Sequence, residues 1–93
     1  MDWAVTSYNE RKKNVSVTFL GFQRQLVQAD SIDVPIMDNM CVLDLFLIIA
    51  ERYPQLALEK RHTLLTVNNR MCPEDRVLES DDRISFIPHI GGG

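Results

Sequence analysis

The stretch of this chain best suited to chemistry is its last seven residues, Ile87-Pro88-His89-Ile90-Gly91-Gly92-Gly93. A proline and an apolar residue lead into glycines that run up to the α-carboxylate. Glycine adds no Cβ, so a narrow channel can admit such a segment and bring its last carboxylate to another protein's active site. A flexible leash on a rigid body suits a carboxylate that visits more than one partner. Residue types alone leave this reading level with a glycine-rich end that only frays.

Other reactive residues are scattered. Cys41 stands between Met40 and Val42, and Cys72 between Met71 and Pro73. Both read most simply as small core residues. His62 lies in a polar stretch, and His89 stands two residues before the glycines. Nothing in the spacing of these four favours a metal site. The sequence shows no glycine-rich phosphate loop, no His-Glu-x-x-His and no serine in a nucleophile elbow. An enzyme with its own active site is not expected.

The elements that must position the tail are legible from periodicity. Val15, Val17 and Phe19 alternate with Ser16 and Thr18 as a half-buried strand, and Ile32-Asp33-Val34 alternates as a second, with Pro35 at an edge or strand limit. Gln23-Arg24-Gln25 reads as a polar stretch and Gln28 to Ser31 as a turn, so the two strands are expected to pair as a hairpin. One helix is clear: Val42, Leu45, Phe46, Ile49, Ala50 and Tyr53 form a continuous apolar stripe. Asp38 and Asn39 are its expected caps, and Pro54 ends it. Leu43, Leu47 and Ile48 fall off the stripe and are expected to pack beneath a loop. Thr63 to Val67 is a third strand, and Asn68-Asn69 a tight turn into a short strand around Arg70-Met71-Cys72. Arg83 to Ile87 is the last strand, stopping at Pro88. A single helix following a strand pair must cover one face of a mixed sheet, giving an α+β roll.

Composition bounds the function class. With 93 residues, 45% hydrophobic, the chain is one domain with one core. A net charge of −3 argues against a freestanding nucleic-acid binder. The longest apolar run, Leu45 to Ala50, is six residues, well short of the ~18 of a membrane span, and the N-terminus lacks a signal peptide's apolar centre. A cytoplasmic location, with neither nucleic acid nor membrane as partner, is expected. Residues 1–14 carry three basic against two acidic side chains, lack periodicity and read as a mobile arm; residues 15–93 carry seven against eleven, a net of −4.

Several stretches then carry a resemblance. They are Val17-Thr18-Phe19-Leu20 leading into Gln23-Arg24-Gln25-Leu26, Val42-Leu43-Asp44-Leu45 at the helix start, and Val67-Asn68-Asn69. Leu78-Glu79-Ser80-Asp81-Asp82-Arg83-Ile84 and Phe86 through Gly93 complete the set. Residues 15–93 resemble the ubiquitin-like β-grasp superfamily. Within it they are most similar to the sulfur-carrier family that includes the small subunit of molybdopterin synthase (MoaD-like) and the thiamine sulfur carrier (ThiS-like). From Val67 onward the match runs without a gap, laying the family's two terminal glycines on Gly92 and Gly93 and a variable position on Gly91. Pro88-His89 stands where the family often has Pro-Pro, and Asp81 where it usually has glycine in a left-handed turn. The implied fold is a β-grasp roll with a mixed sheet of four to five strands and one main helix on one face. Its divisions are an arm at 1–14, a domain at 15–90 and a flexible tail at 91–93.

The resemblance implies a non-catalytic sulfur-carrier subunit. An ATP-dependent, ubiquitin-activating-like adenylyltransferase would adenylate the carboxylate of Gly93, with Gly92 beside it, and a sulfur donor protein would convert it to a thiocarboxylate. The large subunit of molybdopterin synthase would take that sulfur for a dithiolene. No cofactor is bound by the chain itself; the activating partner uses ATP. Phe86, Ile87, Pro88, His89, Ile90 and Gly91 are the expected partner-binding residues. Alternation prevents all of them from facing the core, and the acidic corner Glu74, Asp75, Glu79, Asp81 and Asp82 is expected beside them. The lengths of residues 21–34 and 54–62 favour the molybdopterin type over the thiamine type. A ubiquitin-like protein modifier would use the same tail, and a β-grasp interaction module would leave the glycines merely frayed.

Overall fold

A computed structural model describes residues 13–88 of the chain. Strand β1 (Lys13–Thr18) is followed by helix α1 (Phe22–Val27), strand β2 (Ser31–Ile36) and helix α2 (Val42–Arg52). Two 3₁₀ turns, Pro54–Leu56 and Lys60–His62, lead to strands β3 (Thr63–Val67), β4 (Arg70–Met71) and β5 (Arg83–Pro88). The five strands form one sheet in the order β2-β1-β5-β3-β4. β5 runs parallel to β1 and antiparallel to β3, so the sheet is mixed and its last strand is central. This is the β-grasp roll expected from the resemblance.

Alternation makes the core. Val15, Val17, Val34, Ile36, Leu65, Val67, Ile84 and Phe86 point from the sheet onto Val42, Leu45, Phe46 and Ile49 of α2, all 9% exposed or less. Phe46 meets Phe86 edge to face, centroids 5.4 Å apart, and Phe19 meets Tyr53 at 5.8 Å. Asn68 and Asn69 close the β3–β4 turn with φ of 53° and 69°, the two positive values that a tight hairpin turn needs and that asparagine tolerates. Asp81, which stands where the family usually has glycine, is itself left-handed at φ 70°.

Several local expectations are corrected. β1 begins at Lys13, which pairs with Ile36, so Lys13 and Asn14 belong to the sheet and not to the arm; residues 1–12 lie outside the described residues. β1 and β2 do pair antiparallel with a turn after Gln28, but the polar stretch before it is helix α1. α2 is not capped by Asp38 or Asn39: Cys41 occupies the N-cap, and the Asp44 carboxylate accepts its N–H at 3.0 Å. Cys41 is thus a half-buried helix-start residue, whereas Cys72 packs against the core. Leu43 packs against the core, but Leu47 is 55% and Ile48 38% exposed, beneath no loop.

Candidate functional site

The described part of the candidate site is the root of the tail, where β5 ends. Phe86, Ile87 and Pro88 lie within the described residues; His89, Ile90, Gly91, Gly92 and Gly93 lie outside them. Because β5 is central, its end is held from both sides. On the β3 side the ladder runs to the last residue, Thr63 opposite Pro88 and Leu64 opposite Ile87. On the β1 side backbone pairing stops at Thr18 opposite Ser85. There Gln23, 2% exposed, takes over: its amide Nε2 donates to the Phe86 carbonyl at 2.9 Å, and its Oε1 accepts the Leu20 N–H at 3.0 Å.

The period of two sends neighbouring residues of β5 to opposite faces. Phe86 is 2% exposed and packed on Phe46, so it is a core residue and not the partner-facing one expected. Ile87 points to the face that no helix among the described residues covers. There a shallow hollow of about 310 Å³ is lined by Thr18, Leu20, Thr66, Asn69, Arg83, Ser85 and Ile87. Leu20 is 40% exposed, and Thr66 is buried with its Oγ1 donating to the Ser85 carbonyl at 3.0 Å. The open face therefore offers an apolar centre among hydroxyls.

Glu79, Asp81 and Asp82 of the acidic corner are not beside the tail. Glu79, Asp81 and Asp82 belong to the turn before Arg83, and Arg83 is separated from Pro88 by the length of β5, about 16 Å. Asp82 is 6% exposed and structural: one oxygen accepts Arg76 Nη1 at 2.7 Å and the Glu79 N–H at 2.8 Å, the other Asn68 Nδ2 at 3.0 Å. Burial pushes its carboxyl up, but Arg76, the Glu79 N–H and Asn68 together outweigh this and hold it below its usual value. Glu74 pairs with Lys60 at 2.7 Å. It is the basic turn Lys60–His62, leading directly into Thr63, that adjoins the root of the tail.

The other reactive groups stay apart. His62 Nδ1 lies 3.0 Å from Glu59 Oε1 on the surface. Burial pushes the Cys72 thiol up, Arg76 opposing and Asp82 adding, which keeps it protonated and a poor nucleophile. Among the described residues no three His, Cys, Asp or Glu side chains gather as metal ligands, and no helix is long and apolar enough to cross a membrane. Sequence reasoning missed Gln23, which it placed in a polar stretch. No local signal marked it, because the apolar Phe22 and Leu26 of this short helix face outward and the polar Gln23 faces inward.

Comparison with known proteins adds a family match and fold relatives. The model of the ThiS family matches residues 17–93. No curated protein matches. A putative molybdopterin converting factor subunit 1 from Pyrococcus furiosus is similar at 21% identity and a TM-score of 0.72, over 84% of this chain and 99% of that one. Small archaeal modifier protein 1 of Haloferax volcanii is similar at 14% identity and a TM-score of 0.69, over 84% and 99%. A chain in the complex of subunits 1 and 2 of the molybdopterin-converting factor from Helicobacter pylori is similar at 21% identity and a TM-score of 0.57, over 86% and 99%. At these identities the solved structures speak to the fold alone.

Proposed function

The chain belongs to the ThiS family, and from that membership we propose that it is a sulfur carrier, the small subunit of a molybdopterin synthase. The observation that carries this is the extent of the family match, which runs through Gly92 and Gly93. A carboxylate oxygen of Gly93 attacks the α-phosphorus of ATP in an activating enzyme, pyrophosphate leaves, and a mixed anhydride with AMP forms. A sulfur donor protein then supplies the nucleophile that displaces AMP, leaving a thiocarboxylate. The acids and bases belong to the partners. This chain supplies a rigid sheet, a central strand that ends at Pro88, and an open face on which a partner can seat.

The likeness to the P. furiosus subunit and to the H. pylori complex supports a large-subunit partner. In this reading the partner covers the open face around Leu20 and Ile87, where an apolar centre ringed by polar groups suits a transient interface. In the turn beside Thr63, Lys60 is paired with Glu74 and His62 lies against Glu59, which leaves Arg61 to favour an acidic side chain on the partner's rim.

The test is direct. Incubation with ATP, the cognate activating enzyme and a sulfur source should exchange one oxygen for sulfur, and fragmentation should place it at Gly93. A chain carrying one alanine after Gly93 should not be loaded. Sulfur found elsewhere, or an extended chain that loads untrimmed, overturns the proposal.

A second reading, a protein modifier joined to lysine through Gly93, is favoured by the likeness to small archaeal modifier protein 1. Isopeptide-linked adducts formed with ATP and the activating enzyme, in place of sulfur delivery to a synthase, would select it.

A further inference from the structure

We infer that Gln23 is a positioning residue, its carboxamide completing the sheet ladder at the point where β5 hands over to the tail. The inference rests on the sulfur-carrier reading and names the group that aims its reactive end.

A parallel neighbour would continue the β1–β5 ladder past Thr18 opposite Ser85, but β1 has turned away by then. Phe86, the next residue of β5, would leave a carbonyl without a strand partner inside the protein. A primary carboxamide carries the pair of groups of a peptide unit, an N–H donor and a C=O acceptor, together with a second N–H. Gln23 uses both: it donates to Phe86 and accepts from Leu20, so one buried side chain stands in for the missing rung between the two strands. Only one orientation of the amide satisfies a carbonyl on one side and an N–H on the other.

The consequence concerns direction. Phe86 is clamped by Phe46 through its ring and by Gln23 through its carbonyl, two residues before Pro88. Without Gln23 the Phe86 carbonyl has no partner, and beyond the Phe86 ring the strand end is held by pairing with β3 alone. A strand end held on one side swings more widely, and the fraction of time its carboxylate spends aligned for attack falls. Gln23 itself is buried and reaches the open face only through the Leu20 backbone N–H, so docking is disturbed less than alignment. The expected signature is a loss in kcat with little change in KM.

The test uses the full chain with Gln23→Met, which keeps length and burial and removes both hydrogen bonds. In adenylation by the activating enzyme, kcat per folded molecule should fall about tenfold, KM for the carrier should hold within twofold, and amide exchange at Ile87 should quicken at least tenfold relative to Val34. An unchanged kcat, or a loss carried by KM, overturns the inference. In the wild-type chain the side-chain amide protons of Gln23 should exchange far more slowly than those of exposed Gln25; equal rates overturn it even if the variant fails to fold. Failure of the wild-type chain to be adenylated counts against the sulfur-carrier reading, and the exchange measurements still decide whether Gln23 holds the strand end.

Discussion

Two adjacent residues of β5 offer the sharpest test of how this sheet divides folding from docking. Phe86 is 2% exposed and packs edge to face on Phe46, whereas Ile87 faces the open side opposite Leu64. Truncating a buried phenylalanine to alanine costs about 3–5 kcal/mol through lost transfer energy and the cavity left behind. A domain of this size has roughly 5–14 kcal/mol of stability, so Phe86→Ala removes from about a fifth of it to all of it. At about 4–8 °C per kcal/mol, the melting temperature should drop by at least about 12 °C. Ile87→Asp gives up strand propensity and one cross-strand contact, about 1 kcal/mol, for a drop of about 4–8 °C. Its effect on binding should be the reverse of small. A charge placed in the apolar centre of a docking face costs about 2 kcal/mol or more, roughly thirtyfold in Kd for the synthase large subunit. Thermal unfolding by circular dichroism and titration calorimetry on the same preparations measure both. A Phe86→Ala chain that melts within 4 °C of wild type, or an Ile87→Asp chain that does not fold, refutes the assignment of faces. An Ile87→Asp chain with wild-type affinity removes the open face as the docking surface.

Three further outcomes are expected. Asp82 is held below its usual carboxyl value in the folded chain, so its contribution to stability is fully present above the unfolded value of about 3.9 and is lost as pH falls through the folded one. Denaturant melts should accordingly show Asp82→Asn costing about 1–3 kcal/mol at pH 6, and the gap to wild type narrowing below about pH 4. Asn69→Gly should raise the melting temperature by a few degrees, because φ of 69° costs glycine nothing and the Asn69 side chain makes no hydrogen bond among the described residues. Leu47→Glu and Ile48→Lys should each change stability by less than about 0.5 kcal/mol in the same melts; a larger loss would mean that these side chains are covered after all.

Much of this fold was legible in the linear sequence because its strands and main helix carry unbroken periods. Val15-Val17-Phe19 and Val42-Leu45-Phe46-Ile49 announce which side faces inward, and Asn68-Asn69 and Pro54 mark where elements turn or stop. The glycine tail was legible as part of the family's pattern, which the family match over residues 17–93 bears out, whereas residue types alone left it level with a frayed end. Tertiary structure alone decided the rest. Helix α1 was illegible because its buried residue is the polar Gln23, its exposed ones include Phe22 and Leu26, and Val27 alone of its apolar residues packs on the core. Gln23 faces inward because a strand 63 residues away leaves a carbonyl there, and nothing local encodes that need. Asp82 looked like surface charge until the turn brought Arg76, Asn68 and the Glu79 N–H around it. Phe86 and Ile87 looked equally available to a partner, because a run of apolar residues does not say which side the helix covers. Glu79, Asp81 and Asp82 stand close to the tail in sequence yet a strand length from it in space, since an extended chain spends every residue between them on distance.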